Sequence, residues 1–262
     1  MPSPDRVTRI GIVSALQEEQ SSLMTAMRNA TVVTAGMRRY VCGQLWEMDC
    51  VCVLSRIGKV AAAATIATLI ERFHITHLLF TGVAGSVTSA VKVGDLVIAD
   101  RLVQHDMNAF PLFPRFEIPL LKQTCFASDA RLTTLLMRAG EDFLRDDMQH
   151  LVGNEDRELF GLHQPRLHRG LIASGDEFIH GNDRRAALKQ ALPDALAVEM
   201  EGAAVAQVCF EFGIPFAVVR TISDDANDHA PRDFMRFLER VAAKYAHGIV
   251  QRMMALPITT AQ

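Results

Sequence analysis

A chain of 262 residues, 49% hydrophobic and 22% charged, is long enough to bury the core of one large α/β domain. Its formal charge of −3 offers no basic field to hold nucleic acid or an anionic membrane surface. Five irregularly spaced cysteines point to a reducing cytoplasm rather than a disulfide framework, and the polar residues 1–6 lack the apolar centre of a secretory signal. No apolar run approaches the ~20 residues of a membrane helix.

Residues 9–14 read as a first strand, apolar at Ile10, Ile12 and Val13. Residues 15–27 follow as a helix with Leu16, Leu23, Met24 and Met27 on its buried stripe. Glu18 and Glu19 fall in the first turn of that helix, where the dipole favours acids, so plain capping accounts for them on sequence physics alone. Short strands are expected around 39–48 and 50–55; Cys50 and Cys52 alternate on one strand face and read as packing, since CxxC spacing is missing. Arg38-Arg39 and Arg184-Arg185 read as solvated pairs. An Ala-rich helix over 60–73 precedes a fully apolar strand, 77–81, which Gly82-Val83-Ala84-Gly85 is expected to stop with a turn open to a ligand. That turn matches neither GxGxxG nor the P-loop, so no dinucleotide or triphosphate site follows.

A strand over 96–103 ends in His105-Asp106, with no other His or Cys at zinc-ligand spacing. Residues 108–121 carry three prolines and three phenylalanines, too irregular for a helix and too apolar for a free loop; they pack on their own domain, cover a partner subunit or wall an apolar pocket. An amphipathic helix over 128–144, capped by Ser128 or Asp129, gives way to a polar, irregular stretch to 168. A strand over 169–174, a short helix over 183–192 and a long last helix over 234–256 complete the outline, with 1–6 and 257–262 as tails. No repeat or linker divides the chain, so residues 1–262 are expected to form a single domain.

The most informative stretch is 197–228. An apolar approach, Leu196-Ala197-Val198, runs into Glu199, Met200 and Glu201; a helix with Val205, Val208, Cys209 and Phe212 on one face follows, ended by Gly213 and Pro215. Phe216 to Val219 then read as a strand buried on both faces, with Ser223-Asp224-Asp225 just beyond it. Two adjacent parallel strands delivering carboxylates to one sheet end would make a ligand site. The run Asp224-Asp225-Asn227-Asp228 lacks the Gly and distal Glu of a calcium loop, and no metal or cofactor is expected.

The blocks IGIVSALQEE (10–19), IGKVAAA (57–63), TGVAG (81–85), VGDLVIAD (93–100), SGDEFI (174–179), VEMEGAA (198–204) and VVRTISDDA (218–226) resemble the nucleoside phosphorylase superfamily, and within it the bacterial 5′-methylthioadenosine/S-adenosylhomocysteine nucleosidases. The resemblance implies a central twisted mixed β-sheet flanked by helices, and hydrolysis of the bond between adenine and ribose. It implies Glu19 as the base that activates water and Asp224 as the acid that protonates adenine N7. Glu201 would accept hydrogen bonds from the ribose hydroxyls, Met200 would lie against the ribose, Phe178 would stack on adenine and the Ile179 backbone would read the purine edge. Gly85 would approach the sugar or water. Ile57, Phe234 and the 110–113 region are candidates for the 5′-thioalkyl pocket, although a plain core role fits each equally. Ser223 and Arg220 would support the acid, while Glu199 would either touch the substrate or stand behind the groups that do; a buried arginine needs a carboxylate partner, and Glu199 is available. The same likeness implies a cytoplasmic homodimer acting on a small nucleoside in methionine salvage and nucleoside catabolism, with 104–121 near the interface. Arg56 stands where the family often has glycine, and 145–168 is longer than in well-known members, so the 5′ substituent stays open. Phosphorolysis, and hydrolysis of another nucleoside such as futalosine, are the alternatives; Phe80 or Thr81 stands where hexameric phosphorylases carry an arginine. A non-catalytic nucleoside-binding module would have no need of both Glu19 and Asp224.

Overall fold

The apolar runs of the sequence become the strands of one mixed sheet in a computed structural model that describes residues 8–258. β1 (Arg9–Ser14) enters α1 (Gln17–Ala26), followed by β2 (Arg28–Ala35), β3 (Arg38–Leu45) and β4 (Met48–Leu54). Then come α2 (Lys59–Phe73), β5 (His77–Ser86), β6 (Leu96–Gln104) and the short β7 (Phe126–Ala127). α3 (Ala130–Asp142) continues through a π-helical turn at Phe143–Asp147 into α4 (Met148–Leu151) and α5 (Asn154–Phe160). β8 (Leu167–Ser174), α6 (Asn182–Ala191), β9 (Ala195–Glu199), α7 (Gly202–Phe212) and β10 (Phe216–Asp224) follow. α8 (Ala230–Phe237), a second π-helical turn at Leu238–Ala242 and α9 (Ala243–Met254) end the fold.

Local signals explain most of these boundaries. The Asp129 carboxylate accepts from the Leu132 N–H at 2.8 Å and so starts α3. Ala62, Ile66, Leu69 and Phe73 recur at helical spacing on the buried face of α2. Gly213 ends α7 in the left-handed conformation, at φ +66°. Every residue of β10 is buried, as a strand covered on both faces requires.

The strands run in the order β10-β6-β8-β9-β5-β1-β4-β3-β2, with β7 beside β6. An additional β10–β5 pairing closes the first five into a ring, leaving β1, β4, β3 and β2 as an extension that ends at an open edge. Helices flank both faces of this mixed sheet. Leu23 of α1, Leu136 of α3 and Ile249 of α9 share one apolar cluster, and Ile66 of α2 and Val205 of α7 share the other. Among the described residues no helix is long and apolar enough to cross a membrane.

The structure corrects several expectations. β5 does not stop at the glycines; it runs through them to Ser86, because Gly82 and Gly85 still make ladder pairs with β10. β9 and β10 are not adjacent parallel neighbours: they flank β5 on opposite sides, with β9 antiparallel to it. The polar stretch after 150 contains α5, whose C-cap Gly161 is left-handed. The last helix starts at Ala230 and carries a π-helical turn. Of the expected tails, Ile258 is buried against the core, while 1–6 and 259–262 lie outside the described residues.

A Cβ at Gly213 would meet nothing within 4 Å, so only the left-handed backbone resists substitution there. Gly213→Ala should therefore lower unfolding free energy by about 1 kcal/mol in urea titration, with the m-value unchanged.

Candidate active site

A cavity of about 340 Å³ lies where β5, β9 and β10 meet the start of α1. Glu19, Ile57, Gly85, Phe178, Ile179, Glu199, Met200, Glu201, Phe234 and Asp224 all line it. Of the residues singled out from the sequence as lining a site, Ser223 stands behind the wall, and the 110–113 region, expected as a wall of the 5′ pocket, lies outside the cavity with Phe110 and Leu112 exposed. Sequence reasoning missed Ala15, Leu16, Val83, Ala84, Glu177 and Val198, each of which lines the cavity beside a residue already singled out or within that residue's helical turn. Arg220 and Ser174 lie fully buried behind the wall.

Glu19 caps the very helix that carries it. Its Oε2 accepts from the Ala15 and Leu16 N–H groups, both at 2.8 Å, and its Oε1 accepts from the Val83 N–H at 3.0 Å. Capping and a site role are therefore not rivals for this residue. Burial pushes its carboxyl up from the usual range, opposed first by the Arg220 charge and then by these three N–H groups.

Asp224 sits across the cavity. Its Oδ1 accepts from the Ala226 N–H at 2.9 Å, and its Oδ2 lies 2.8 Å from Ser223 Oγ. Ser223 Oγ is also 3.3 Å from the Ala84 carbonyl, so it can donate to an ionised Asp224 or turn to Ala84 and accept from a protonated one. Burial pushes Asp224 up to about 6, and the Asp225 and Asp233 charges add to the rise.

The glycines of β5 serve these acids directly. A Cβ at Gly82 would lie 2.8 Å from Glu19 Oε1, and one at Gly85 would lie 2.9 Å from Asp224 Oδ1. Each carboxyl group thus rests on a bare stretch of the same strand. This corrects the reading of Gly85 as a point of ligand approach alone: the group that first needs the missing side chain is Asp224.

The third acidic centre is structural as well as lining. Glu199 accepts from Ser174 Oγ, from the Gly202 N–H at 3.0 and 2.9 Å, from the Glu201 N–H at 3.2 Å, and from Arg220 Nη2 at 2.7 Å. That set occupies both carboxylate oxygens. Arg220, 1% exposed, also stacks its guanidinium 4.0 Å from the Phe80 ring centre. Glu201 keeps more freedom: Oε1 accepts from the Gly58 N–H at 2.8 Å, and burial together with the nearby Glu199 charge raises its pKa. Phe178 and Phe234 meet edge to face, with ring centres 5.6 Å apart, and form an aromatic wall. Ile57 is exposed at the mouth. Among the described residues no group of three or more His, Cys, Asp or Glu has the geometry to hold a metal ion.

A ring of mixed strands bearing paired acids over one strand's glycines can give and take protons on opposite sides of a small, partly apolar molecule. The chain belongs to the phosphorylase superfamily, whose family model matches residues 9–255. It is 34% identical over 248 residues to the 5′-methylthioadenosine/S-adenosylhomocysteine nucleosidase of Shewanella baltica strain OS155, covering 95% of this chain and 96% of that protein. The nucleosidase of that name from Neisseria meningitidis, solved in complex with methylthio-immucillin-A, superposes with a TM-score of 0.83 at 30% identity over 95% of this chain and all of the other. The futalosine hydrolase of Helicobacter pylori strain 26695 superposes with a TM-score of 0.81 at 32% identity, covering 95% and 99%.

The folded state binds a proton at Asp224 more tightly than the unfolded chain, whose value is near 3.8. The group's contribution to stability is therefore full below pH ~4 and disappears as pH rises through about 6. Relative to the native chain, Asp224→Asn should gain about 1 kcal/mol of unfolding free energy between pH 5 and pH 8 in urea titrations.

Proposed function

We propose that this chain hydrolyses the N-glycosidic bond of 5′-methylthioadenosine and S-adenosylhomocysteine, releasing adenine and the thioribose product. The observation that carries this reading is the pair of carboxyl groups seated on Gly82 and Gly85. Both groups line the same cavity of about 340 Å³, which has room for a sugar ring and a water.

Glu19 Oε1 accepts only one protein hydrogen bond and keeps a lone pair for water. Water attacks the anomeric carbon while the bond to adenine N9 breaks, and its proton passes to Glu19. Asp224 gives its proton to adenine N7, so the base leaves neutral. The bond breaks through an oxocarbenium-like sugar, whose ribose hydroxyls Glu201 holds. Met200 packs against the ribose, Phe178 stacks on adenine, the Ile179 backbone reads its edge, and Ile57 and Phe234 flank the 5′ substituent. Ser223, Glu199 and Arg220 act through the residues they hold.

Phosphorolysis needs a cationic or N–H-lined anion site. Among the described residues no Lys or Arg lines the cavity, Phe80 is buried against Arg220, and Arg220 is bonded to Glu199. The same proposal takes residues 1–262 as one domain of a cytoplasmic homodimer in methionine salvage. Its five cysteines are free, and Phe110 and Leu120, 76% and 86% exposed, offer the apolar surface a partner subunit would cover. A futalosine-type substrate is the second reading, favoured by the equal likeness to the Helicobacter hydrolase.

Adenine release from methylthioadenosine should proceed in phosphate-free buffer at a rate that added phosphate leaves unchanged; dependence on phosphate would make the enzyme a phosphorylase. Asp224→Asn should lower kcat at least ~100-fold while substrate still binds, and native kcat/KM should fall as pH rises above about 6, where the acid loses its proton. Gly82→Ala drives a methyl group into Glu19 and should lower kcat at least ~10-fold with cooperative unfolding retained.

A further inference from the structure

Glu19 borders a second cavity as well, a chamber of about 10 Å³ beside the main one. That volume is about what a single buried water needs. Among the described residues Glu19 alone lines both. Strand alternation accounts for the other polar groups. Thr81 pairs with Val219 across β5 and β10, and Thr221 lies two residues on, so these side chains point to one face of the sheet. That face is covered by Ala242, from the second π-helical turn, and by Ala246 and Ile249 of α9. Two alanines there, in place of larger apolar side chains, leave the chamber its room, and π-helical turns recur at functional sites. Thr81, Thr221 and Glu19 are 1%, 4% and 3% exposed, so the polar groups lie inside the protein. Thr81 Oγ1 meets Ser14 Oγ at 3.4 Å, and among the described residues Thr221 Oγ1 makes no hydrogen bond.

The surroundings of Glu19 supply the second half of the argument. The Ala15, Leu16 and Val83 N–H groups donate to its carboxyl group, and the Arg220 guanidinium adds positive charge. Donors and a cation suit the ionised base. Once Glu19 has taken a proton it is a donor itself and needs an acceptor. Its Oε1 is the oxygen that lies against Gly82, and Gly82 also lines the chamber, so an acceptor is within reach on that side. The charged groups facing Glu19 are Arg220 of β10 and Glu201 beyond β9, whereas the π-helical turn and α9 bring alanine and isoleucine to the chamber.

We propose that the chamber holds one water molecule between Glu19 and the Thr81 and Thr221 hydroxyls, and that this water accepts the hydrogen bond of protonated Glu19 during turnover. The proton stays on Glu19; the chamber water stabilises the acid form and so makes the carboxylate a stronger base toward the attacking water. Thr81 and Thr221 are positioning residues that act through it. The proposal rests on the nucleosidase reading and adds a component to its base.

The test follows adenine release from 5′-methylthioadenosine against pH, with urea titration to check folding. Thr221→Val keeps the branched shape and removes the hydroxyl, Thr221→Ser keeps the hydroxyl, and Ala246→Val fills the chamber with both hydroxyls in place. Thr221→Val and Ala246→Val should each lower kcat about fivefold with KM within about twofold. Both should also move the acid limb of kcat/KM down by about half a pH unit, because the protonated base has lost its acceptor. The alkaline limb, set by Asp224, should stay in place, and Thr221→Ser should recover most of kcat. A crystal structure of the native chain should show a water within hydrogen-bonding distance of Glu19 and Thr221. An acid limb unmoved in both valine variants, or a chamber without that water, would overturn the proposal. A native chain that releases no adenine would instead overturn the nucleosidase reading, and this proposal with it.

Discussion

The guanidinium of Arg220 is the charge around which the cavity is balanced. It is buried in β10, bonded to Glu199 and stacked on Phe80, and its field also reaches Glu19 and Glu201. Burying several acids in one place is unfavourable unless a cation and directed N–H groups offset the lost hydration. What opposes burial differs from one acid to the next. Glu19 receives three backbone N–H groups and the Arg220 field, whereas Asp224 receives one N–H and a hydroxyl and faces two further aspartates. Burial raises both carboxyl groups, and more groups oppose the rise at Glu19 than at Asp224.

Much of this was legible in the residues. The apolar runs, the Gly213–Pro215 stop and the Asp129 cap carry their own physics, and the structure follows them to within a few residues. The blocks that converge on the cavity come from widely separated parts of the chain, yet nearly every lining residue expected from them is present there. Short-range chemistry was enough because each block contains both the functional group and the turn or cap that aims it.

Strand pairing was not legible. Nothing local to 195–199 or 216–224 says that β5 lies between them, since pairing partners are chosen by the whole core. The glycines of β5 misled for a related reason: in sequence they look like a turn, but they are small because two carboxyl groups press on the strand from other elements.

Closure of the β5-β10-β6-β8-β9 ring has an evolutionary consequence. The chemistry-bearing strands have no unpaired flank, so the open margin of the sheet falls at β2, on the far side of β1, β4 and β3. Lineages of this architecture can lengthen, decorate or recruit neighbours along that margin without re-registering a single catalytic strand. Additions at that margin leave the pairing of the strands that carry Glu199 and Asp224 untouched.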